Sequence, residues 1–273
     1  MISRRTLIAA LAAGTASGAC GISTARAEPR VELKPELADL FGTSGTRGTI
    51  AVLDIAHNRL VMTDETRARQ GLLPASTFKV PHSLIALETG VVADVDQELI
   101  RWDGVERDVP EWNRDHTLRS AIKFSVVPVY QQIARRIGAE RMQHFLDSFD
   151  YGNRDIGGAE IDQFWLRGNL RISPLQQIGF LQRLYAGDLP VSRQSLASVK
   201  DILPIEKTET AIIRAKTGTI IVDDKPTIGW LVGWAEHGGD VAVFALNLDI
   251  HAQPDLARRM PIAKSALQAI GAV

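Results

Sequence analysis

The sequence predicts a mixed α/β fold of the α+β type: an antiparallel sheet built from both ends of the chain and flanked by terminal helices, with an all-helical lobe inserted between. Three observations point there. Strand texture at 49–55 and 60–62 returns after Ile212. The stretch between, roughly 76–198, carries apolar residues at helical spacing, broken by glycine stops. The composition, 45% hydrophobic and 23% charged over 273 residues, supplies enough apolar surface for one large core.

The elements follow in chain order. Residues 1–27 read as an export signal rather than as fold. Arg4-Arg5 gives a basic start, 7–13 an apolar run, and Ala25-Arg26-Ala27 an A-x-A cleavage site. The apolar run is short of the roughly 20 residues that cross a bilayer, so no membrane span is expected. The paired arginines lean toward the twin-arginine route. Residues 28–273 then form a single domain, periplasmic or secreted. The one cysteine, Cys20, falls inside the signal, so the mature chain gains no disulfide. A lipoprotein anchored through Cys20 is less favoured, because Ser17-Gly18-Ala19 lacks a large aliphatic residue three positions earlier.

Next come a strand at 49–55, a turn at His57-Asn58 and a strand at 60–62. A helical run begins around Ser76 and stops at Gly90. Residues 129–137 form a helix closed by Gly138, and 139–149 another; Ser173-Pro174 opens a third, which Gly187 ends. Strands return at 220–222, 227–234 and 241–246, with a hairpin signal at His237-Gly238-Gly239-Asp240. A helix at 258–270 closes the chain. A helical lobe set against a sheet leaves a cleft, which is where chemistry is expected.

Four short words occur in a fixed order: Ser76-Thr77-Phe78-Lys79, Ser125-Val126-Val127, Tyr151-Gly152-Asn153 and Lys216-Thr217-Gly218. Serine is a weak nucleophile until an adjacent base takes its proton. A lysine three residues later stands on the same helix face and serves as that base if its surroundings strip its charge. A Ser-x-x-Lys match alone is common, and Ser120-Ala121-Ile122-Lys123 matches too. Ser76 is preferred because it opens the helical run, where free backbone N–H groups and the helix dipole favour a developing anion. The bland alternative is a capping serine with a solvated lysine.

Other chemistries lack their residues. The net charge of −1 leaves no basic face for nucleic acid. The six histidines form no H-x-x-x-H pair and the mature chain has no cysteine, so no metal site is expected. No phosphate-cradling loop is present.

Taken with Phe164-Trp165-Leu166-Arg167-Gly168 and Gly229-Trp230-Leu231-Val232-Gly233-Trp234, the words resemble the class D, oxacillinase-type serine β-lactamases along nearly the whole mature chain. Ser-Val-Val stands where a class A enzyme would have Ser-Asp-Asn. The resemblance implies the fold shared by serine β-lactamases and the transpeptidase domain of penicillin-binding proteins. It implies that Ser76 attacks a β-lactam carbonyl and is acylated, and that Lys79, carbamylated by CO2 to N6-carboxylysine, is the general base. Carbon dioxide or bicarbonate would be the only small-molecule requirement. Trp165 would hold the carbamate and Ser125 relay a proton to the leaving nitrogen. Lys216, Thr217 and Arg259 would bind the substrate carboxylate, Arg258 being the competing arginine. The backbone N–H groups of Ser76 and Thr219 would form the oxyanion hole beside Gly218. The partner implied is a small β-lactam, with a homodimer possible. Two relatives in mechanism stay open: a β-lactam sensor domain and a penicillin-binding D,D-peptidase, both acylated but slow to deacylate.

Overall fold

The computed structural model describes residues 28–42 and 46–273; the expected signal at 1–27, with Cys20, lies outside the described residues. The strands among them are β1 (Arg30–Leu33), β2 (Gly48–Asp54), β3 (Arg59–Met62), β4 (Ile205–Lys207), β5 (Ile212–Val222), β6 (Lys225–His237) and β7 (Asp240–Asp249). The first helices are α1 (Glu65–Arg69), α2 (Lys79–Glu88), α3 (Leu118–Lys123), α4 (Val127–Ile137) and α5 (Ala139–Ser148). The remainder are α6 (Phe164–Arg167), α7 (Pro174–Ala186), α8 (Arg193–Ile202) and α9 (Arg259–Ala269).

All the strands join one sheet in the order β1-β3-β2-β7-β6-β5-β4. Its centre is the antiparallel pair of β2 and β7, from Gly48 opposite Leu248 to Asp54 opposite Ala242. The two chain ends therefore meet in mid-sheet, as the sequence predicts. The edge differs from that prediction, because β1 runs parallel to β3. A 3-10 turn at Pro35–Phe41 carries the chain back across the sheet, and such a crossover permits parallel pairing where a hairpin would not.

Strand alternation gives the sheet two apolar faces. Ala51 and Leu53 face the helical lobe and its large core, whereas Ile50 and Val52 face a second core closed by α9 and the Pro35–Phe41 turn. Within the lobe, α2 is buried along Lys79–Ala86, so it is the lobe's central rod. Helix α7 opens as the sequence indicates, with the Ser173 side chain accepting from Gln176 N–H and the Gln176 side chain answering back. The lobe is less helical than expected. Residues 89–117 and 150–163 run largely as loops, with a 3-10 turn at Pro110–Trp112.

One detail of the sheet prepares the site. Short β4 pairs with only Ile212 to Arg214 of β5, and the Ala215 N–H donates outward to the Pro204 carbonyl at 3.1 Å. Beyond that point the outer edge of β5 has no neighbouring strand among the described residues and faces the lobe. Residues two apart in a strand point their N–H groups the same way, so Thr217 and Thr219 aim theirs at that open edge.

Candidate active site

Ser76 sits in a 3-10 turn, Ala75–Phe78, that leads directly into α2. The sequence predicts it inside the first α-helical turn; the difference has a cause in Pro81. An α-helix reaching back to Thr77 would need the N–H that proline lacks. Ala75, just before the serine, has φ 47°, a left-handed conformation costly for a residue with a Cβ. The surroundings hold it. Thr77 donates its N–H and its hydroxyl to the Pro74 carbonyl, at 3.1 and 2.7 Å, and Gln177 from α7 donates to the Thr77 hydroxyl at 2.9 Å. The strand β5 lies flush on this turn. A Cβ on Gly218 would stand 3.0 Å from Thr77 Cγ2 and 3.1 Å from the Pro74 carbonyl oxygen, which explains glycine in the Lys-Thr-Gly word.

Lys79 Nζ lies 2.9 Å from Ser76 Oγ, in hydrogen-bond contact. The lysine is fully buried. Burial holds its amine well below the ordinary lysine range, and the nearby Lys216 charge pushes it further down. Its ring neighbour is Tyr130, whose centroid is 5.1 Å from Nζ and whose hydroxyl is engaged with Ser83 at 2.7 Å.

The second word closes the other side. Ser125 follows α3 with φ 55°, again left-handed, and its Oγ accepts from Lys216 Nζ at 3.0 Å. Lys216 also donates to the Thr217 carbonyl at 3.0 Å, around the open edge of β5. Its own pKa is pushed down to about 7, first by burial and then by the Arg259 charge. Arg259 donates to the Gly218 carbonyl at 2.9 Å and the Leu256 carbonyl at 2.7 Å, and approaches Thr219 Oγ1 at 3.4 Å. Burial lowers it to about 10. Arg258 turns the other way, toward the Phe41 carbonyl and Asp255. Of the two arginines, Arg259 therefore belongs with β5.

Trp165 on α6 is completely buried, and its indole Nε1 has no hydrogen-bond partner among the described residues. Its ring stacks on Phe78 at 5.8 Å and meets His82 edge-on at 5.2 Å. The Tyr-Gly-Asn word latches the loop that carries α6. Asn153 donates its N–H to the Arg171 carbonyl at 2.8 Å and its Nδ2 to the Asn169 carbonyl at 2.9 Å, while its Oδ1 accepts from the Arg171 N–H at 2.9 Å. A Cβ on Gly152 would lie 2.2 Å from the Arg171 carbonyl oxygen, so only glycine allows this approach.

These pieces enclose a cleft of about 480 Å³. Ser76, Ser125, Thr217 and Thr219 line its polar side, and Trp112, Val127, Leu166 and Ile221 its apolar side. Two residues of this neighbourhood were not singled out from the sequence. Arg167, at the end of α6, lines the cleft, and His82 lies buried one turn beyond Lys79. A histidine inside an otherwise apolar helical run was the available signal for the second. A further cleft of about 460 Å³, around the Arg67–Asp249 ion pair at 2.8 Å, contains none of the word residues. Among the described residues no cluster of three potential metal ligands occurs, and no helix is long and apolar enough to cross a membrane.

Comparison with known proteins decides the family. Residues 48–268 match the penicillin binding protein transpeptidase domain. Beta-lactamase OXA-48 of Klebsiella pneumoniae is 50% identical over 202 residues, 74% of this chain and 75% of that protein. Beta-lactamase OXA-5 of Pseudomonas aeruginosa is 40% identical over 235 residues, 85% of this chain and 87% of that protein. The chain belongs to the class D β-lactamases. The solved class D β-lactamase YbXI from Nostoc superposes with a TM-score of 0.82 at 42% identity, covering 86% of this chain and 98% of that one. FUS-1 (OXA-85), a class D enzyme from Fusobacterium nucleatum subsp. polymorphum, superposes at 0.83 with 37% identity, covering 89% and 100%. Membership makes this chain a serine hydrolase of the β-lactamase kind. It also accounts for the Ser-Val-Val word and for the lobe-on-sheet architecture.

Proposed function

We propose that the protein opens the β-lactam ring of penicillin-type antibiotics through an ester on Ser76. The observation that carries this reading is a single distance: Lys79 Nζ, fully buried, stands 2.9 Å from Ser76 Oγ. Burial that holds the amine well below the ordinary lysine range favours its uncharged form, and an uncharged amine adds CO2. An anion there needs a donor, and the unpartnered Trp165 N–H fits that need. Carbamylated, Lys79 supplies the general base for both half-reactions.

Ser76 Oγ then attacks the lactam carbonyl and loses its proton. The carbon–nitrogen bond of the ring breaks, and the nitrogen receives a proton through Ser125, whose hydroxyl lies 3.0 Å from Lys216 Nζ. Water attacks the resulting ester, releasing the ring-opened acid and restoring the serine hydroxyl. The N–H groups of Ser76 and Thr219 would hold the oxyanion, a contribution typically of about 2.7–4 kcal/mol per donor. Lys216, Thr217 and Arg259 would draw in the substrate carboxylate. Lys216 loses its charge as pH rises through about 7, so this attraction is strongest on the acid side. Residues 28–273 are proposed as one domain, delivered to the periplasm or medium by the segment 1–27.

Purified 28–273 is expected to turn over a chromogenic cephalosporin continuously, and bicarbonate is expected to raise the rate of CO2-depleted protein. A stoichiometric burst without a steady state would instead favour the sensor or D,D-peptidase reading.

Trp165→Ala is expected to leave acylation partly intact and to slow deacylation, because the carbamate loses its donor. Stopped-flow traces should show a burst followed by a steady state roughly 10²-fold slower, on the scale of a weakened general base. Unaltered steady-state kinetics would remove Trp165 from the mechanism.

A further inference from the structure

Three of the unpartnered buried atoms gather in one place: Trp165 Nε1 and both ring nitrogens of His82. Leaving a buried donor or acceptor unsatisfied typically costs about 1–3 kcal/mol. His82 is fully buried, and its ring packs against three others: Phe78 at 5.4 Å, Tyr130 at 5.2 Å and Trp165 at 5.2 Å between centroids. The Tyr130 hydroxyl is taken by Ser83. Lys79 and His82 are one helical turn apart, so they share a face of α2.

We infer that His82 is a positioning residue for the modified Lys79: its neutral imidazole and the Trp165 indole together form the polar niche that holds the carbamate's carboxylate. The inference rests on the carbamate reading above and extends it to a residue that reading does not use. An imidazole always carries at least one N–H, so the niche offers two donors with no acceptor of their own. A buried carboxylate with two oxygens supplies the acceptors. Burial is what keeps the ring neutral: it lowers His82 to about 3, and this effect does not depend on a charge on Lys79. A charged imidazolium is therefore not needed, and the ring acts as a fixed donor. In the step itself the Lys79 nitrogen lone pair bonds to the carbon of CO2. One carbon–oxygen π pair moves onto oxygen, and the N–H proton leaves to water in the cleft.

The test uses CO2-depleted full-length mature protein titrated with ¹³C-bicarbonate, with the lysine carbamate followed by ¹³C NMR. His82→Leu fills the same apolar space, so the fold should survive. It is expected to weaken CO2 uptake about tenfold, the equivalent of about 1.4 kcal/mol. His82→Asn, which restores an N–H, should recover most of the affinity. Bicarbonate should also raise the melting temperature of the parent protein more than that of His82→Leu. Equal half-saturation and equal thermal shifts for parent and His82→Leu would overturn the role of His82 alone. No carbamate signal in the parent protein would sink the carbamate reading and this inference together.

Discussion

Ser76→Ala is expected to lower kcat against a chromogenic cephalosporin by about 10⁶-fold, the scale seen when a serine hydrolase loses its nucleophile. Affinity should change far less, because the cleft walls, Lys216 and Arg259 remain. Intact mass spectrometry should find a β-lactam adduct on slowly deacylating forms of the parent protein and none on Ser76→Ala. The matched control is Ser120→Ala. Ser120 belongs to the other Ser-x-x-Lys word, yet its hydroxyl is committed to His116 Nδ1 at 2.9 Å and to the Thr117 carbonyl at 3.1 Å. Lys123 is exposed to solvent. Ser120→Ala should therefore keep near-parental turnover. Loss of activity in Ser120→Ala together with retention in Ser76→Ala would reverse the assignment.

Lys79→Met is expected to do two opposite things: lower kcat by about 10²–10⁴-fold and raise thermal stability. The loss is that of a general base. The gain follows from burial. The folded protein holds the Lys79 amine well below its ordinary value, so at neutral pH the unfolded chain binds that proton more readily than the folded one. Folding therefore bears a cost, which shrinks as pH rises toward the unfolded lysine value of about 10.4. Methionine fills similar volume without that cost. For a domain of this size each kcal/mol recovered raises Tm by about 2–4 °C, and the advantage should be largest at pH below the depressed folded value of Lys79 and fade as pH climbs toward the unfolded one. Calorimetry of CO2-depleted parent and variant across pH reads this directly. A lower Tm for Lys79→Met at every pH would mean that the lysine is stabilising where it sits. Lys79→Met should also lose any response to bicarbonate.

Much of the architecture was legible because local signals and tertiary packing agree. Ser173-Pro174 with Gln176 opens α7, and Gly238-Gly239 turns β6 into β7. The pairing of both chain ends followed from where strand texture sits. The misreadings occurred where a backbone feature depends on remote partners. Ser76 lies in a 3-10 turn because of Pro81 and of contacts from Gln177 and β5, none of which is a local propensity. β1 has only four residues, and its parallel pairing depends on the crossover behind it. The loops at 89–117 and 150–163 are fixed by distant links, such as Asn153 to Arg171. For the site, the motif residues were visible and their roles came from family resemblance. Arg259 is favoured over Arg258 by its place in the sequence, and the contacts separate the two: Arg259 reaches the Gly218 carbonyl while Arg258 turns to Asp255 and the Phe41 carbonyl. His82 went unnoticed because a lone histidine in an apolar run is usually core.

The mid-sheet union of Gly48–Asp54 with Asp240–Asp249 bears on how the chain matures. Synthesis proceeds from the N-terminus, so β2 waits with an exposed hydrogen-bonding edge until Asp240–Asp249, about 190 residues later, emerges. Ile50 and Val52 stay wet through that interval, and the helical lobe, made of sequence-local contacts, can condense first. Assembly is thus a late zippering event. The nascent sheet is most open to aggregation just before Asp240–Asp249 pairs with β2.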